Sequence, residues 1–261
     1  MDIARIAAIA DKVPRLEPGS VCLLGAGPGD PRYLTLEAAK VLGEADAVVH
    51  DALVDPRVLD LTRSTAERHF VGKRGGQPSI KQPAISAMLV RLALEGRRVV
   101  RLKGGDPLLF GRAAEEIAAL NQAGVAWRAV PGVTASLAAL SGAGIPATVD
   151  GVNRAIVIAT GHSLEPGPGA LDWEALARLG QPLLIYMAVA RVAEICRRLE
   201  RGGLPAETPA AVFSSVGMAG SSTVFTTLGR LPKVAQELGS PAILAIGGIL
   251  PRVTVGADWG G

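Results

Sequence analysis

Short apolar runs that end on glycine and alternate with helix-length segments constrain this chain more than any other feature. Val21–Leu24 runs into Gly25-Ala26-Gly27-Pro28-Gly29-Asp30, and Val99–Leu102 runs through Lys103 into Gly104-Gly105-Asp106-Pro107. Runs of this length suit buried strands, and the glycines mark turns that leave the strand for a helix. The pattern predicts strands at Ser20–Leu24, Ala47–His50, His69–Val71, Arg98–Leu102 and Ala126–Val130. Helices are predicted at Thr35–Gly43, with Thr35 as N-cap, and at Asp55–Arg63, Gln82–Glu95 and Arg112–Ala123. After Pro131-Gly132 a helix at Thr134–Ser141 restarts the pattern. Strands at Ala155–Thr160, Pro182–Met187, Ala210–Ser214, Thr223–Thr227 and Ala242–Ile246 follow, with helices at Trp173–Leu179, Val189–Arg201 and Leu231–Leu238. Such alternation predicts an α/β protein of two lobes, each a mostly parallel or mixed sheet flanked by helices. The expected division is an N-terminal extension over 1–18, domains over 19–131 and 132–255, and a tail over 256–261. The extension reads as a weakly amphipathic, peripheral helix.

Composition narrows the function. Aromatic residues make up 3% of the chain against 49% apolar residues in all, so the core is expected to consist of Ala, Leu, Val and Ile. A nucleic-acid site built on aromatic stacking is disfavoured for the same reason. The net charge of +3 suits an acidic small molecule without identifying one. Cys22 and Cys196 show no metal-ligand spacing, His50, His69 and His162 add none, and no metal site is expected. The longest apolar stretches are strand-length, which gives no membrane span, and residues 1–15 do not read as a secretory leader. A soluble, cytoplasmic protein is expected.

The first glycine loop invites a dinucleotide-binding reading and fails it. The fingerprint needs a third glycine where Asp30 stands, and Pro28 removes a backbone donor from the phosphate cradle. In the second loop, Gly104 and Gly105 allow a ligand to approach the backbone, and Asp106 offers acceptors to hydroxyl or amino groups. Open α/β sheets bind ligands beyond the carboxyl ends of their strands, where both loops fall. Arg97, Arg98 and Arg101 read as a solvated basic face.

Five segments carry a resemblance: LGAGPGDPRYLTL (24–36), ADAVVHDALV (45–54), VGKRGGQPSIKQ (71–82), VVRLKGGDPLLFGRAAEE (99–116) and VPGVTASLAALSGAGIPAT (130–148). With Thr160-Gly161-His162 and Ile185-Tyr186-Met187 they resemble the uroporphyrinogen-III C-methyltransferases among the tetrapyrrole methylases, over about residues 19–250. The resemblance implies two α/β domains, a homodimer, and S-adenosyl-L-methionine as methyl donor, leaving S-adenosyl-L-homocysteine. It implies methylation of uroporphyrinogen III at C2 and C7 to precorrin-2, for cobalamin or sirohaem-type biosynthesis, with neither nucleic acid nor membrane as partner. Pro28, Gly104, Gly105, Asp106, Leu109, Thr134, Ala135, Met187 and Val216 are the cofactor-binding positions it implies. Asp51 and Lys73 match a proton acceptor and a proton donor. Arg112 and Arg74 are candidate partners for substrate carboxylates, with Glu115 placed to orient Arg112.

The chain departs from the family pattern at Ala52, Asp150, Ala188 and Val216. Asp150 puts a negative charge where a carboxylate-binding Arg is usual. Ala188 and Val216 are expected to narrow the adenosine pocket. These departures leave two alternatives open: a methyltransferase for another tetrapyrrole, such as a precorrin, and a cofactor-binding homologue with reduced catalysis.

Overall fold

A computed structural model describes residues 3–72, 80–165, 167 and 169–251. The chain divides into two compact units, residues 1–135 and 136–261. The first comprises α1 (Ile3–Ala10), β1 (Val21–Gly25), α2 (Leu36–Glu44), β2 (Ala47–His50), α3 (Pro56–Leu59), β3 (Glu67–Phe70), α4 (Gln82–Leu94), β4 (Val99–Lys103), α5 (Ala113–Gln122) and β5 (Trp127–Val130). Its five strands lie in the order β3-β2-β4-β1-β5, every pair parallel. Parallel pairing puts all five carboxyl ends on one edge, with β1 and β4 adjacent at its centre.

Both faces of this sheet are covered. Cys22, Leu24, Val48, Val100 and Leu102 pack with Ala38, Val41 and Leu42 of α2 and Val58 and Leu59 of α3. Val21, Leu23, Val49 and Val99 pack with Ile85, Leu89 and Leu92 of α4 and Leu120 of α5. Successive strand residues point to opposite faces, so a strand covered on both reads as one continuous apolar run. The Thr35 hydroxyl accepts from the Ala38 amide at 3.0 Å and caps α2 as expected. The helix expected over 55–63 is only Pro56–Leu59, capped by Asp55. The N-terminal extension is less peripheral than expected. Leu16 is 3% exposed, its amide donates to Glu44, and its carbonyl accepts from Arg98.

The second unit takes up α6 (Ala135–Gly142), which begins at the border. It continues with β6 (Val157–Thr160), α7 (Trp173–Arg178), β7 (Leu183–Tyr186), α8 (Val192–Arg201), β8 (Pro209–Ser214), β9 (Ser222–Thr227), α9 (Leu231–Leu238) and β10 (Ala242–Ile246). Strand order is β6-β7-β10-β8-β9. Only β6 and β7 pair in parallel; the other three pairings are antiparallel. Two successive antiparallel pairings restore direction, so β6, β7 and β8 end on a common edge at Thr160, Tyr186 and Ser214. The helix expected from Val189 opens with a 3-10 turn, Val189–Arg191, before α8. Trp173, Ile195, Leu199, Val212 and Leu244 anchor the core of this unit.

Among the described residues no helix is long and apolar enough to cross a membrane. Cys22 and Cys196 are free and buried.

Candidate functional site

The two glycine loops meet at the centre of the first sheet's carboxyl edge. Beyond the β1–β4 ladder, Gly27 and Gly105 exchange backbone hydrogen bonds of 3.2 and 2.8 Å. Gly132, in the loop after β5, completes the contact. A Cβ on Gly25 would lie 2.6 Å from the Gly105 carbonyl oxygen, and one on Gly132 would lie 2.2 Å from it. Three backbones therefore interlock where no side chain fits. Asp106 fastens the assembly: Oδ1 accepts from the Leu108 amide at 2.9 Å and Oδ2 from the Gly132 amide at 3.2 Å. The acceptors expected to serve a ligand thus already hold loops, and only their remaining lone pairs are available. Gly105 has a φ of +72°, and among the described residues a Cβ on it would meet only the Ala135 amide nitrogen, at 3.9 Å, so that side of its Cα presents bare backbone. Gly104 admits Leu53, whose Cβ would lie 2.8 Å from an added methyl. Pro28 is buried, while Leu109, Thr134 and Ala135 are partly exposed at the same edge.

His50 ends β2, and Asp51 follows it. The Asp51 Oδ1 accepts from the Leu53 amide at 3.0 Å, closing a local turn, while the carboxylate stays partly exposed. The His50 ring meets Phe70 edge-on at 5.5 Å, and burial holds its pKa below the ordinary histidine value. Lys73 and Arg74 lie outside the described residues.

Arg101 is not part of a solvated face. It is 5% exposed, and with Lys103 it projects beneath α4 and α5 onto Glu116, which is 0% exposed. Arg101 Nε donates to Glu116 Oε1 at 3.0 Å, Lys103 Nζ to Oε2 at 3.0 Å, and Gln82 Nε2 to Oε1 at 3.1 Å. Arg101 also donates to the carbonyls of Val49 and Leu102, and Lys103 to that of Gly111. The sequence expectation failed because β4 is central and covered on both faces, so its alternate residues have no route to water. Of the other two arginines, Arg97 is exposed and pairs with Glu67 at 3.0 Å. Arg98 is half-buried and ties the N-terminal segment to Asp46. Two cations on one carboxylate leave an excess positive charge, and burial pushes the Lys103 pKa down against the pull of Glu116.

Arg112 begins α5 with a φ of 55°, and Phe110 has a φ of 52°. The left-handed region costs an L-residue about 1–2 kcal/mol, so the surroundings must hold both in place. Arg112 grips Glu115 in a fork of 2.7 and 2.6 Å, with both side chains exposed.

In the second unit, Met187 follows β7 with a φ of 52° and is 47% exposed. Ser215 follows β8 with a φ of 50°, and the partly exposed Val216 comes next, so both expected positions stand on one sheet edge. Tyr186 Oη accepts from the Ser136 amide at 2.8 Å, joining the end of β7 to the first turn of α6. Ala188 does not narrow a pocket: it is 0% exposed and packs in the core against Gly161. Asp150 is exposed, and among the described residues it forms no ion pair.

An adenosyl sulfonium ligand asks for bare backbone, an apolar surface and polar groups for its amino-acid end. In the first unit Gly105 presents bare backbone, and in the second Met187 presents an exposed thioether. Among the described residues, the buried Ser136 hydroxyl at the start of α6 finds no hydrogen-bond partner. The residues fit the ligand, each within its own unit. Sequence reasoning missed Gly25, Gly132, Tyr186, Ser136 and the Arg101–Lys103–Glu116 cluster. The cluster left one signal: two cations in a strand otherwise apolar, followed by paired glutamates on a helix.

A family model described as Tetrapyrrole (Corrin/Porphyrin) Methylases matches residues 20–232. A uroporphyrinogen-III C-methyltransferase from a Sinorhizobium species is 44% identical over 250 residues, covering 95% of this chain and 89% of that protein. A siroheme synthase of Baumannia cicadellinicola is 41% identical over 243 residues, covering 93% of this chain and 52% of that protein. The chain thus spans about half the length of the siroheme synthases it matches. A solved uroporphyrin-III C-methyl transferase from Thermus thermophilus, complexed with S-adenyl homocysteine, superposes with a TM-score of 0.76 at 36% identity, covering 88% of this chain and 98% of that one.

Proposed function

The chain belongs to the tetrapyrrole methylase family, and from that membership we propose that it transfers methyl groups from S-adenosylmethionine to C2 and C7 of uroporphyrinogen III, giving precorrin-2. The observation that carries this reading is the interlock of Gly25, Gly105 and Gly132, which leaves an edge of bare backbone at the carboxyl ends of β1 and β4. S-adenosylmethionine, when bound, supplies an electrophilic methyl group on a sulfonium. The protein contributes position and electrostatics.

Within this reading, Gly105 receives the cofactor on bare backbone, Gly104 lets Leu53 close up against the same loop, and Asp106 keeps that loop against Gly132. Pro28, Leu109, Thr134 and Ala135 border that loop. Met187 offers a polarisable thioether to the adenine, and Val216 borders the nucleoside. A pyrrole carbon that gains a methyl group must later release a proton from the macrocycle. Asp51 accepts it through the oxygen not engaged by Leu53, and Lys73 serves as donor. Arg112 binds a substrate carboxylate while Glu115 holds its guanidinium in a fixed plane. We further infer a homodimer, a cytoplasmic location, and a product destined for cobalamin or sirohaem-type cofactors.

Asp150 supports a second reading. An exposed carboxylate with no ion-pair partner among the described residues disfavours one substrate carboxylate nearby, which suits a tetrapyrrole already modified there. Calorimetry with S-adenosylhomocysteine, followed by labelled methyl transfer to uroporphyrinogen III and to precorrin-2, separates the two. Binding with transfer to uroporphyrinogen III is expected. Transfer to precorrin-2 alone favours the second reading, and absence of binding defeats both.

A further inference from the structure

The turn Phe110-Gly111-Arg112 holds two left-handed non-glycine residues on either side of one carbonyl, and that carbonyl is where the Lys103 ammonium binds. Lys103 comes from the end of β4, is 3% exposed, and is held from behind by Glu116 at 3.0 Å. Glu116 in turn is fixed by Arg101 and Gln82, at 3.0 and 3.1 Å. Gly111 is the residue that permits this approach: a Cβ there would lie 2.7 Å from Lys103 Cε and 2.9 Å from Nζ. A buried cation is expensive unless it is fully engaged. This one spends its contacts on one carboxylate of α5 and one carbonyl of an exposed turn.

We propose that Lys103, braced by Glu116, is a positioning residue: by gripping the Gly111 carbonyl it holds Phe110 and Arg112 in the conformations that present them to the tetrapyrrole. The inference rests on the methyltransferase reading for the identity of the ligand, and on the geometry alone for the grip. Lys103 touches neither substrate nor cofactor, so its loss acts on substrate binding through the turn. Lys103 meets the glycine interlock through its backbone alone, in register with Gly25 and accepting from the Ala26 amide at 2.8 Å, so a change of its side chain leaves those contacts and the Gly25, Gly27, Gly105 and Gly132 approaches in place.

Two variants test it. Lys103→Met removes the ammonium and leaves the Arg101–Glu116 pair, so the site loses its excess charge and keeps its carboxylate neutralised. Gly111→Ala keeps every charge and pushes the ammonium off the carbonyl. In both, amide hydrogen exchange over residues 110–113 is expected to accelerate by about tenfold. KM for uroporphyrinogen III is expected to rise by about tenfold with kcat little changed, and the dissociation constant for S-adenosylhomocysteine to stay within about twofold. Unchanged exchange at the turn in a folded variant overturns the proposal. So does a parallel loss of S-adenosylhomocysteine binding, which would make the cluster a support of the whole edge. Should Lys103→Met fail to fold, Gly111→Ala decides alone. Wild-type protein that binds S-adenosylhomocysteine and methylates no tetrapyrrole defeats the methyltransferase reading and the substrate half of this inference, while the exchange arm still judges the grip.

Discussion

Gly132 shows how strictly single atoms govern the edge of the first sheet. Any side chain there would place its Cβ 2.2 Å from the Gly105 carbonyl oxygen, in contact with backbone that has no freedom to retreat. Gly132→Ala is therefore expected to force the loops after β4 and β5 apart and break the Asp106–Gly132 hydrogen bond. Binding of S-adenosylhomocysteine should fall at least tenfold by calorimetry, with a loss of stability of about 1–3 kcal/mol on denaturant titration. Binding at wild-type strength in a folded variant would show that the interlock does not shape the cofactor site. None of this was readable one residue at a time. The sequence displays Pro131-Gly132 as a break between domains, and the close approach that requires the glycine exists only when β1, β4 and β5 lie side by side. Arg101 teaches the same lesson with the opposite sign, since an arginine beside Arg97 and Arg98 reads as surface until the neighbours of β4 are known.

At the scale of elements, local chemistry was a dependable guide. Thr35 precedes an amphipathic run, and it caps α2 with its hydroxyl at 3.0 Å from the Ala38 amide. Thr35→Ala is expected to cost about 1 kcal/mol in chemical denaturation, while Thr35→Ser should restore most of it, because the cap requires only the hydroxyl. Equal stability of all three proteins would refute the cap. Helix α8 was legible for a related reason: Val192, Ile195, Cys196 and Leu199 recur at helical spacing and are buried together. The helix expected over 55–63 was too long because the rule that starts a helix, Asp before Pro, says little about where it stops. It ends after Leu59, and the chain turns back toward β3.

At the scale of the molecule, each unit holds one buried thiol, Cys22 in the first and Cys196 in the second. Burial pushes each thiol up to about 12 from an ordinary value of 9.0. A folded pKa above the unfolded one favours the protonated thiol in the fold. Stability from this source is therefore complete below pH 9 and is lost as pH climbs from 9 toward 12, by at most about 1.4 kcal/mol per pH unit and thiol. Neither thiol should react with a chromogenic disulfide at pH 8, and both should react once the chain is denatured; rapid labelling of the native protein would show that the burial is not maintained. Proteins retaining only Cys22 or only Cys196 then report the unfolding of each unit separately. By itself the sequence determined the alternation of strands and helices, the covered sheets and the two glycine loops, because apolar periodicity and turn chemistry act over a few residues. It also carried the family resemblance that pointed to the chemistry. Only the tertiary structure decided that β4 sits between β1 and β2, that the edge strands of the second sheet run in opposite senses, and that Lys103 and Glu116 meet beneath an exposed turn. Strand order and charge pairing across the core depend on contacts between residues far apart in the chain, and no local pattern encodes which distant partner will arrive.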